Sequence, residues 1–113
     1  MYGKPMTNLD GGIFKIRMIF NLGFPREQPR VTVETPLFHR RITEDGVLCY
    51  FPQKSEEVSS HLEAIIKAIE DENPRYDPRA VVNQEASKLF WGSAEQKKIY
   101  NRRLRRSAQE SAE

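Results

Sequence analysis

From Ile13 to Phe20, apolar and polar residues alternate: Phe14, Ile16, Met18 and Phe20 fall on one face, Lys15 and Arg17 on the other. A period of two predicts a half-buried strand. Asp10-Gly11-Gly12 before it reads as a turn, because glycine tolerates positive φ. A second short strand is predicted at Arg30 to Glu34, where Val31 and Val33 point the same way. Pro25, Pro29 and Pro36 fence these segments, since proline cannot donate to a sheet ladder. From Leu37 to Tyr50 the pattern is a mixed loop and short strand, with Asp45-Gly46 as a tight turn.

The period then changes. Val58, Leu62, Ile65, Ile66 and Ile69 recur at helical spacing, with Ser55 as the expected N-cap and Glu56 and Glu57 in the first turn. Asn73-Pro74 is expected to end that helix, and Asp77-Pro78 to start another carrying Val82, Ala86, Leu89 and Phe90. Ser93-Ala94-Glu95-Gln96 fits a capping box opening a last helix with Ile99, Tyr100 and Leu104 as apolar contacts. Strands first and helices afterwards predict an α+β domain with an antiparallel sheet. No repeat or dividing linker is present, so a single domain over 1–107 is expected, with a flexible tail over 108–113.

Composition narrows this picture. A chain of 113 residues with 38% hydrophobic positions supports one modest core. No run of about 18 apolar residues offers a membrane span. The start, Met1-Tyr2-Gly3-Lys4-Pro5, lacks the apolar stretch of a secretory signal. The single cysteine, Cys49, excludes an internal disulfide and a multi-cysteine metal site, and the two histidines lack zinc-site spacing. A soluble, intracellular protein of the cytoplasm and/or nucleus is expected.

Net charge is +2, too small to name a partner, but its distribution is uneven. Charges from Glu56 to Glu72 are mostly acidic, and those from Lys97 to Arg106 are all basic. Two solvated helix faces are one reading, a docking surface for an anionic partner the other. Tyr76, Phe90, Trp91 and Tyr100 resemble a base-stacking set, yet their helical spacing is better explained by core packing. No phosphate loop or nucleotide fingerprint occurs. Binding of nucleic acid is therefore not expected.

Several landmarks then form an ordered series. Gly3 through Gly12 with Ile13-Phe14 resembles the loop leading into the second strand of ubiquitin-conjugating enzymes. Phe24-Pro25 and Pro29-Arg30-Val31 are similar to that family's aromatic-proline and proline-x-valine landmarks. Leu37-Phe38-His39 resembles the start of its His-Pro-Asn motif, and Gly46-Val47-Leu48-Cys49 its glycine-x-aliphatic-cysteine. Asn73-Pro74, Asp77-Pro78 and Asn83-Gln84-Glu85-Ala86 resemble later landmarks in the same order. The resemblance covers nearly the whole chain. It implies a UBC-like fold: an antiparallel meander sheet, a central helix and C-terminal helices.

Departures from the pattern are equally specific. Arg40 and Arg41 replace the proline and asparagine of the motif; Arg41 stands eight positions before Cys49, where the family has its asparagine. The segment between Cys49 and the next helix is short and lacks a Trp-Ser-Pro landmark, and the Asp-Pro to Asn-x-Glu-Ala segment is a little longer. The family's first helix is expected to be absent. That helix commonly contributes to contacts with the activating enzyme and the ligase, and its absence would leave sheet surface for a protein partner to cover.

The resemblance implies that Cys49 carries ubiquitin or a related modifier as a thioester, with no cofactor of its own, since ATP belongs to the activating enzyme. Thiolate is the attacking species, and Arg40, Arg41 and Lys54 would lower the thiol's pKa while Glu44 and Asp45 oppose them. An inert buried cysteine is the plain alternative. Arg41 is either a donor to the oxyanion of the transfer step or a solvated loop cation. Asp77 resembles the acidic residue that orients the incoming lysine, though an N-cap alone explains it. His39 resembles the motif histidine, whose role is structural hydrogen bonding, and His61 reads as a boundary residue of the first helix. A catalytically inactive variant acting as a binding or adaptor module is the alternative function. A basic-helix protein that binds nucleic acid or anionic membrane ranks below both.

Overall fold

The computed structural model describes residues 1–70 and 81–112. Two strands, β1 (Ile16–Ile19) and β2 (Arg30–Val33), pair antiparallel with Ile16 opposite Val33 and Met18 opposite Val31. Three helices follow: α1 (Val58–Glu70), α2 (Gln84–Phe90) and α3 (Ala94–Ser111). The α+β order and antiparallel pairing are those the residue pattern predicts. Among the described residues no helix precedes β1.

β1 is shorter than the alternation from Ile13 to Phe20 suggests, because the flanking amides have other partners. Ile13 donates to the Ser111 hydroxyl (2.9 Å), Phe14 to the Met1 carbonyl (2.7 Å) and Lys15 to the Thr35 hydroxyl (3.0 Å). The inward face is nevertheless kept through Phe14, while Phe20, expected beside it, is exposed. Beyond β2 the sheet is extended by backbone bonds from Val33 to the Gly46 carbonyl (2.8 Å) and from Leu48 to the Val31 carbonyl (2.9 Å). The chain then pairs back on itself through the Ile42–Leu48 bridge.

The helices depart from expectation at their starts. Ser55 does not cap α1: its carbonyl accepts from the His61 ring, and a turn closed by Glu57 N–H on the Lys54 carbonyl delays the helix to Val58. Asn83 caps α2, its side-chain oxygen accepting from Ala86 N–H at 3.0 Å. Residues 81–83 are not helical, so Ala86, Leu89 and Phe90 belong to a helix begun at Gln84. The Asn73-Pro74 and Asp77-Pro78 signals lie outside the described residues. The Ser93–Gln96 capping box is present, satisfying two end donors reciprocally. α3 continues past Ser107 to Ser111, where Ala108 is fully buried and the Ser111 hydroxyl accepts from the Ile13 amide.

One core joins the layers: Phe14, Val31, Val33, Ile42, Leu48 and Tyr50 from the sheet side meet Ile65, Ile69, Phe90, Tyr100 and Leu104 from the helices. α1 uses only part of its stripe. Ile65 and Ile69 are buried together with His61 and Ala68, whereas Val58, Leu62 and Ile66 form an exposed row at spacing four. Ile99 likewise faces solvent rather than the core.

Gly46 closes the turn that aims residues 47–49 along β2. Its φ is +88°, and a Cβ there would sit 2.9 Å from the Val33 carbonyl oxygen. Both the positive φ and the close approach require glycine. Gly46→Ala should therefore cost about 1–3 kcal/mol, read as a lower urea midpoint with an unchanged m value.

Candidate active site around Cys49

Cys49 lies on a return segment held by its neighbours on the chain. Thr43 N–H donates to the Val47 carbonyl (2.9 Å), Gly46 N–H to the Thr43 carbonyl (2.9 Å), and Cys49 N–H to the Arg41 carbonyl (2.8 Å). Leu48 and Tyr50 are buried on one face of this segment, and Cys49 between them is half-buried on the other. Alternation along an extended chain is what turns the thiol away from the core.

Arg41 sits directly across from Cys49 in this pairing. Opposed residues of an antiparallel pair share a face, with Cβ atoms about 4.5–5.5 Å apart. The Arg41 side chain therefore leaves the backbone on the side of the thiol. Arg40, one residue earlier, goes the other way. It is 2% exposed, with its guanidinium 4.5 Å from the Phe90 ring centroid and 5.3 Å from that of Trp91. Lys54 forms a 3.7 Å ion pair with Glu57. Of the three cations close to Cys49 in sequence, Arg41 is the one the pairing brings to its face.

His39 staples this region to α1. Arg41 N–H donates to Nδ1 at 3.1 Å, which makes that nitrogen the acceptor and leaves the proton on Nε2. Nε2–H then donates to the Ile69 carbonyl of α1 at 2.9 Å. Fully buried and bonded through both nitrogens, His39 is held as a neutral structural group. Asp77 lies outside the described residues.

Three residues with positional roles escaped the sequence reading. Asn83 caps α2 with its oxygen and donates from Nδ2 to the Ile42 carbonyl at 3.2 Å, tying the helix to the Arg41–Cys49 segment. Its position before Gln84-Glu85 was the available signal. Tyr50 and His61 bond to each other at 2.8 Å, and His61 is fully buried rather than at the helix boundary. Nothing local announces that pair. No histidine is left to act as a base toward Cys49, since both rings are engaged through both nitrogens. No group of His, Cys, Asp or Glu that could hold a metal occurs among the described residues.

The family model described as ubiquitin-conjugating enzyme matches residues 1–107. The chain belongs to the ubiquitin-conjugating enzyme family. It is 30% identical over 109 residues to Ubiquitin-conjugating enzyme E2 3 of Arabidopsis thaliana, an alignment covering 92% of this chain and 68% of that protein. The ubiquitin-conjugating frame accounts for a small antiparallel sheet followed by helices, with the lone cysteine between the two halves. No helix among the described residues is long and apolar enough to cross a membrane.

Burial raises the Tyr50 pKa from 10.0 to about 12. The folded protein thus resists ionisation that the unfolded chain undergoes near 10, so this contribution is complete below pH 10 and disappears as pH rises toward 12. Chemical denaturation between pH 9 and 12 should show that loss in the native sequence, and a shallower one in Tyr50→Phe.

Proposed function

We propose that this protein carries ubiquitin or a ubiquitin-like modifier as a thioester on Cys49 and passes it to a substrate lysine. The observation that carries the reading is a half-buried thiol on the face opposite Leu48 and Tyr50, paired through its backbone with Arg41. In the charging step the Cys49 thiolate attacks the acyl carbon of the thioester on the activating enzyme, whose own thiolate leaves. In transfer, the lysine amine attacks the new thioester, loses its proton to solvent or a nearby base, and expels the Cys49 thiolate. Negative charge grows on the thioester oxygen as the amine adds, and the Arg41 guanidinium is the cation on that face. Asp77 keeps its proposed role in orienting the lysine. Ubiquitin or its relative, an activating enzyme and a ligase are the partners of this reading, with the cytoplasm or nucleus as its setting.

Incubation with modifier, activating enzyme and ATP should give a reductant-sensitive adduct that is lost in Cys49→Ala. A folded chain that stays uncharged across the available activating enzymes would refute the carrier reading. It would favour an inactive family variant that serves as a binding module, the reading to which the Arg40-Arg41 replacement of proline and asparagine points.

The two half-reactions separate the role of Arg41. Arg41→Ala should slow discharge to free lysine about 10- to 100-fold and charging by only about fivefold, the loss of thiolate character, measured by single-turnover chase. Equal losses in both steps would assign Arg41 to the fold instead.

A further inference from the structure

Immediately after Cys49 the chain sets the buried Tyr50 against the buried His61 of α1, two polar groups where apolar ones would fill the space. Tyr50 is 2% exposed and His61 fully buried. A polar pair in such a place costs desolvation, offset only when its bonds are made well, and its return is a single defined geometry.

The direction of those bonds follows from their ends. His61 Nε2 lies 2.8 Å from the Ser55 carbonyl, which can only accept, so Nε2 carries a proton, and in the neutral ring Nδ1 is bare. The Tyr50 hydroxyl, 2.8 Å from Nδ1, must then be the donor. Tyr50 is held at a second point, its carbonyl accepting from Gln28 Nε2 at 3.2 Å. On the other side of Cys49 its amide is held by the Arg41 carbonyl at 2.8 Å. The backbone is thus fixed on both sides of the Cys49 Cα, by a cross-strand bond before it and by a helix-borne imidazole after it.

We propose that the Tyr50–His61 hydrogen bond positions the Cys49 thiol, fixing the course of the chain beyond Cys49 so that Sγ stays on the face it shares with Arg41. This rests on Cys49 being the acyl carrier. It adds two positioning residues, Tyr50 and His61, that act through the backbone and do not touch the acyl group.

Because Cys49 is the single cysteine, its alkylation by iodoacetamide reads the thiol without any modifier or partner. Tyr50→Phe keeps the ring and removes the donor, and His61→Leu removes the acceptor; each should slow alkylation at pH 7.5 about fivefold or more. His61→Asn restores an acceptor oxygen toward Tyr50 and should return the rate to within about twofold. Leu104→Ala, destabilising but remote, should leave the rate unchanged or raise it, which is also what a merely structural role predicts for Tyr50→Phe. An unchanged or faster rate in folded Tyr50→Phe overturns the proposal. Should the variants fail to fold, the native protein decides: a coupling across the hydrogen bond between the Tyr50 hydroxyl proton and His61 Nδ1 supports it, and a freely exchanging hydroxyl without that coupling overturns it. A native protein that alkylates as expected but never charges refutes the carrier reading alone.

Discussion

The fold around Cys49 depends on keeping one irregular stretch, residues 39–50, in a single conformation. Little regular sheet is available to do this, since β1 and β2 have four residues each. Side chains supply the missing constraint at three points. His39 reaches the last turn of α1, Tyr50 reaches His61 near the start of the same helix, and Asn83 reaches back from the cap of α2. Each contact meets a polar group that burial would otherwise leave unsatisfied, at a cost of about 1–3 kcal/mol per group. The polar side chains of this core act as fasteners between elements.

The basic helix illustrates how a charge run can be put to local use. Arg103 pairs with Glu85 at 2.6 Å and lies 3.8 Å from the Phe38 ring centroid. Arg105 donates to Asn8 at 3.0 Å, and Arg106 pairs with Glu110 at 3.2 Å. Exposed pairs of this kind contribute little stability singly. They nevertheless give three of the arginines on α3 partners within the chain, and Ser107 and Ser111 bind the 35–38 and 13 regions from the same helix. This geometry favours a helix that straps the sheet over one that serves as a docking stripe.

How much of this could be read from the residues depends on the range of the interaction. Alternation through Phe14, Ile16 and Met18, the Gly46 turn and the Ser93–Gln96 box all concern neighbours on the chain, and each is visible in order and composition. The ordered landmarks also singled out Arg41, eight positions before Cys49, though not that the two lie opposite each other. What stayed hidden crosses from one element to the next: His61 looked peripheral because its partners, Tyr50 and the Ser55 carbonyl, lie before the helix it belongs to. The start of α1 was misplaced for the same reason, as the Ser55 carbonyl is claimed by a ring six residues on. Val58, Leu62 and Ile66 show a further limit, since periodicity marks an apolar stripe without telling how wide a neighbour will cover it.

Asn83 performs two tasks with the two ends of one amide: the oxygen starts α2 and the nitrogen grips Ile42. Loss of ammonia from that side chain, a common route of protein ageing, would leave an aspartate. The cap would survive, because a carboxylate accepts from a helix N-terminus as well as an amide does. The grip would not, because two acceptors would then face one another. Such a change would loosen the segment beside the cysteine and leave the start of α2 in place.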